Sequence, residues 1–165
     1  MPDDRMPVEG SRCALQAWFE KRAAADAQLR AQFLNNSNAA LERLAGKHLP
    51  PGIKIVFLEE SPQTVYLVRR FEGAMEPFEP ETGNAQLLSR SLHALALAED
   101  NFWNGVKADP RKLLAERLAL QLGPQTKVEI LEEDANTAYF VLHHDDHYRN
   151  WKPPAPVMSQ VRIKK

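Results

Sequence analysis

Lys54-Ile55-Val56-Phe57-Leu58-Glu59-Glu60-Ser61-Pro62-Gln63-Thr64-Val65-Tyr66-Leu67-Val68 returns at a fixed offset (127 − 54 = 73). The second copy reads Lys127-Val128-Glu129-Ile130-Leu131-Glu132-Glu133-Asp134-Ala135-Asn136-Thr137-Ala138-Tyr139-Phe140-Val141. No gap is needed to align the fifteen positions, and Lys, Leu, the Glu-Glu pair, Thr, Tyr and Val are identical. Self-similarity at a fixed spacing sets the architecture before any local reading does. Residues 53–58 and 64–69 read as strands rich in branched and aromatic side chains. Residues 59–63 between them read as a hairpin connection longer than the two-residue type. Strands over 127–131 and 137–143 complete the second copy.

Working outward from the strands, the repeat extends into helices. Ala25 matches Ala98, Leu29 matches Phe102, Phe33 matches Val106, Leu41 matches Leu114 and Pro51 matches Pro124 at the same offset. Leu15, Trp18, Phe19, Ala25, Leu29 and Phe33 fall mostly at three- and four-residue steps, which predicts one helix over 11–35. A short helix over 39–47 follows, stopped by Pro50-Pro51-Gly52. In the second copy, Leu88, Leu92, Leu95, Phe102 and Val106 predict a helix over 85–106 capped by Asn84. Asp109-Pro110 restarts the chain as a helix to about residue 122. Each unit is therefore expected to run long helix, short helix, strand, strand. A lone hairpin is marginal in water, so the expectation is an α+β fold in which two tandem units share or form a sheet covered by helices. The expected organisation is a disordered 1–10, a first unit over 11–70, an acidic, proline-containing linker over 71–83, a second unit over 84–144 and an extension over 145–165.

Composition narrows the function classes. Of 165 residues, 44% are hydrophobic and 26% charged, and Lys plus Arg (21) balances Asp plus Glu (22). Such a balance provides no field for nucleic acid or an anionic membrane. The single cysteine, Cys13, excludes an intrachain disulfide and a cysteine-cluster metal site within one chain. The acidic start and the lack of a long apolar run point to a cytoplasmic protein. No Gly-rich phosphate loop or Ser-His-Asp arrangement is present, and no cofactor is expected.

The first copy holds Ala24-Ala25-Asp26, Leu29-Arg30, Ala40-Leu41-Glu42 and Leu49-Pro50-Pro51-Gly52 ahead of the strand–acidic bend–strand run at 53–68. This text resembles the alpha-subunit fold of nitrile hydratase. It also resembles the leader segments derived from that fold in some ribosomally made, post-translationally modified peptides. The likeness covers roughly residues 22–70 and, more weakly, 95–143. In nitrile hydratase the second strand runs into a cysteine claw that binds iron or cobalt. Here the corresponding stretches, Arg69-Arg70-Phe71-Glu72-Gly73-Ala74-Met75 and Leu142-His143-His144-Asp145-Asp146, contain no cysteine, so that chemistry does not carry over. The leader comparison lacks its Gly-Gly cleavage signal and, after residue 143, any Cys or Thr for modification. What the resemblance implies is a non-catalytic, leader-like binding or scaffold protein, recognised by a modifying enzyme or transporter in peptide natural-product maturation.

A few constellations carry alternatives. His143, Asp145 and His147 alternate, so a strand continuing through 143–147 would gather them on one face as metal ligands of an enzyme or enzyme subunit. The bland reading is a solvated strand end. Glu59-Glu60 and Glu132-Glu133 are paired carboxylates of the kind acid–base catalysis uses; at a repeated bend they read as solvent-facing. Trp103, half-exposed on its helix, would mark a partner groove, with core packing the alternative. Tyr148 and Trp151 are further candidate contacts with a protein or peptide partner. Gln160-Val161-Arg162-Ile163-Lys164 alternates as an edge strand does, and its exchange between subunits would make a purely structural homodimer.

Overall fold

The computed structural model describes residues 12–71, 84–152 and 154. The element order is α1 (Arg12–Ala25), α2 (Ala27–Asn35), α3 (Ser37–Ala45), β1 (Lys54–Glu59), β2 (Thr64–Arg69), α4 (Asn84–Ala98), α5 (Phe102–Ala108), α6 (Pro110–Leu118), β3 (Lys127–Glu132) and β4 (Thr137–Leu142). A 3-10 turn, Asp145–His147, follows. The fold is α+β. The linker residues 72–83 and the alternating 157–165 lie outside the described residues, as do 1–11.

Each expected long helix is two. Asp26 leaves helical geometry (φ −141°), and its side chain accepts from the Gln28 and Leu29 amides at 3.0 and 3.1 Å. That satisfies first-turn donors and starts α2. In the second copy the break falls at 99–101, between α4 and α5. Asp109 caps α6 as expected, accepting from the Lys112 amide at 3.2 Å ahead of Pro110. The last helix stops at Leu118, earlier than the expected 122, because Ala119 turns left-handed (φ 53°). Its counterpart in the first copy is Gly46 (φ 72°), which closes α3 the same way. At the repeat's offset the bounds of α3, β1 and β2 coincide with those of α6, β3 and β4.

Strand pairing departs from the hairpin expectation. Ser61 and Thr64 exchange amide–carbonyl bonds (3.3 and 3.2 Å) across Pro62-Gln63, and Asp134 and Thr137 do so in the second copy. The chain reverses there, yet the flanking strands do not pair with each other. β1 pairs in parallel with β4, Lys54 opposite Thr137 through Glu59 opposite Leu142. β2 pairs in parallel with β3, Thr64 opposite Lys127 through Arg69 opposite Glu132. The result is two separate two-stranded sheets. The near-continuous apolar runs Ile55–Leu58 and Ala138–Leu142 suit parallel strands, which bury both faces, better than a hairpin with a polar side.

Two compact units result, and neither coincides with a repeat copy. Unit 1 comprises Met1–Glu59 with Glu133–Leu142; unit 2 comprises Glu60–Glu132 with His143–Lys165. Unit 1 centres on four buried phenylalanines, Phe19, Phe33, Phe57 and Phe140. Phe33 stacks on Phe57 at 4.5 Å, and Phe19 meets Phe57 and Phe140 edge-on at 5.0 Å, the geometries aromatic quadrupoles prefer. The offset positions in unit 2 are Leu92, Val106, Ile130 and Leu67. There the core is filled instead by Trp103, Tyr148 and Trp151 packed among α4–α6 residues. Among the described residues, no helix is long and apolar enough to cross a membrane.

Candidate functional site

The duplicated glutamates are the groups the sequence offers most conspicuously for chemistry. Glu59 is exposed and accepts from Arg30 Nε at 2.6 Å, as a solvated turn residue would. Glu60 is not solvent-facing: it is 3% exposed. One of its oxygens accepts from the His144 amide at 3.0 Å and from the Tyr148 hydroxyl at 2.9 Å. The other accepts from the Tyr66 amide at 2.9 Å and from the same hydroxyl at 2.8 Å. A buried carboxylate is tolerated when hydrogen-bond donors surround it. In the second copy, the Glu133 side chain accepts from the Tyr139 amide, also at 2.9 Å. The second glutamate of each pair thus reaches over the turn to hold the outward amide of the following strand. Tyr66 and Tyr139 therefore contribute a backbone anchor besides their half-buried rings.

β4 ends at Leu142, so the strand alternation that would align His143, Asp145 and His147 is lost. Residues 145–147 instead form one 3-10 turn. His147 Nε2 lies 2.6 Å from the Ser61 carbonyl, which makes that nitrogen the protonated donor. The His143 ring meets Tyr148 edge-on at 5.9 Å. Asp145 is exposed, and Asp146 is bonded to Arg149 at 2.5 Å. Among the described residues, no group of three His, Cys, Asp or Glu could hold a metal ion.

The three aromatic partner candidates are interior. Trp103 is 6% exposed, Tyr148 2% and Trp151 7%, so Trp103 is a core residue and marks no groove. Trp151 Nε1 donates to the Leu118 carbonyl at 2.7 Å, taking up one of the last carbonyls of α6. Asn84, expected as a helix cap, donates through its side-chain amide to the Tyr148 carbonyl at 2.7 Å. Of what looked like a polar extension, the part over 145–151 is thus docked in unit 2. Sequence reading also missed Arg90, Ser91 and His93, polar side chains buried in α4 beside Leu88, Leu92 and Leu95. The signal was present: residues 87, 88, 92, 94 and 95 leave no wide polar face.

Side chains also cover the outer edges of the strands. Asn38 accepts from the Ile55 amide at 2.7 Å and donates to the Ile53 carbonyl at 2.9 Å, while Ser37 Oγ accepts from the Phe57 amide at 3.1 Å. Gln16 donates to the Val141 carbonyl at 2.6 Å. In unit 2, Arg111 takes the place of Asn38 and donates to the Thr126 carbonyl at 2.6 Å and the Gly123 carbonyl at 2.9 Å. The charges beside β3 are exposed. A hydrogen bond from the Lys107 ammonium holds the Glu132 carboxyl below its ordinary value, and Glu129 likewise raises Lys127. Neither a protein-family model nor a curated protein matches the chain.

Proposed function

We propose that the chain is a non-catalytic binding or scaffold protein of nitrile-hydratase-alpha-like ancestry, recognised by a modifying enzyme or an exporter in the maturation of ribosomally made peptides. The observation that carries this reading is how the duplicated glutamates are used. Glu60 is committed to two backbone amides and the Tyr148 hydroxyl, and Glu133 to the Tyr139 amide. A group walled in by donors that hold the backbone is poorly placed for proton transfer to a substrate, which needs access and a matched partner. The repeated acidic bend, the clearest chemical signature of the chain, thus serves to build strands. The alternative of a metal-dependent enzyme needed His143, Asp145 and His147 to converge, and nothing in the placement of these residues favours it.

The test is direct. The purified chain is mixed with the purified modifying enzyme encoded beside it and resolved by size-exclusion chromatography with light scattering and intact mass. A stoichiometric complex is expected, with no substrate turned over by the chain itself. No complex with any neighbouring maturation enzyme or exporter would end the reading.

A further inference from the structure

We draw no further inference here: the strongest candidate, the outer edge of β3, where Pro110 and Arg111 stand at the repeat's offset from the Ser37 and Asn38 that cover β1, carries nothing, because Lys127 and Lys107 pair its Glu129 and Glu132 and nothing in the structure shows what covers it.

Discussion

Ala119 and Gly46 occupy the same place in the two copies, and exchanging their identities tests the backbone directly. Both close a helix in left-handed geometry, at φ 53° and 72°. A residue with a Cβ incurs about 1–2 kcal/mol there. Ala119 is exposed, so Ala119→Gly loses no burial, and its countervailing cost is the greater freedom of glycine in the unfolded chain, about 0.4–1 kcal/mol. The net expectation is a gain of about 0.5–1 kcal/mol, or roughly 2–3 °C in Tm at this chain length. The converse change, Gly46→Ala, meets no atom within 4 Å of the added Cβ. Its penalty is therefore conformational, about 1 kcal/mol with no steric part. Urea denaturation of both variants, followed by circular dichroism, reads both signs. A destabilised Ala119→Gly or a stabilised Gly46→Ala would refute the argument, since one geometry would then not govern the two ends.

Three further predictions follow from the cores and the ion pairs. Tyr148→Phe leaves Glu60 its two amide donors and removes a hydroxyl bonded to a charge, so a loss of about 1.5–3 kcal/mol is expected in urea denaturation. Glu60→Ala strands three buried donors and should cost more than Tyr148→Phe; equal costs would mean the amides contribute nothing. Phe140→Ala should destabilise by about 3–5 kcal/mol, while Phe140→Leu, the residue at the offset position 67, should cost about 1–1.5 kcal/mol. A Leu variant as unstable as the Ala variant would show that the aromatic stack, not its volume, holds unit 1. Finally, hydrogen bonding to Arg117 holds Glu99 below its ordinary value of 4.5, with bonds at 2.5 and 3.1 Å. A depressed carboxylate stabilises above its unfolded value and loses that contribution as pH falls through its folded one. Glu99→Gln should therefore cost about 0.5 kcal/mol at neutral pH, an exposed-pair magnitude, and progressively less as pH falls below the ordinary carboxylate value of 4.5. A difference independent of pH would rule out the charge as its origin.

How far the chain could be read depended on the range of the interaction. The offset, the strands, the Asp109-Pro110 restart and the turn at Pro50-Pro51-Gly52 are local, and each stands where its residues place it. The break at Asp26 was legible too, since aspartate amid alanines is an N-cap signal; helical periodicity across it concealed the stop. Strand pairing was not legible, because a tight turn at Pro62-Gln63 looks the same whether its flanking strands join each other or separate. Glu60 shows the limit most clearly. Its burial depends on His144 and Tyr148, 84 and 88 residues further along, and nothing beside it in sequence announces them. The same distance hid Tyr148 and Trp151, whose polar neighbours suggested a solvated tail.

The crossed pairing of strands bears on how such a chain could have arisen and how it can be cut. Lys54 meets Thr137 and Thr64 meets Lys127, so each copy of the repeat owns the strand that the other lacks. A polypeptide with a single copy would hold two strands with no mate for either, and would close its sheets by reciprocal exchange with a twin. Joining two copies in one gene turns that meeting of two molecules into a ring closure, whose cost no longer depends on how many molecules are in solution. Proteolysis within residues 72–83 should accordingly leave the two fragments bound to each other, whereas either fragment made alone has every element of a unit except the strand that completes it.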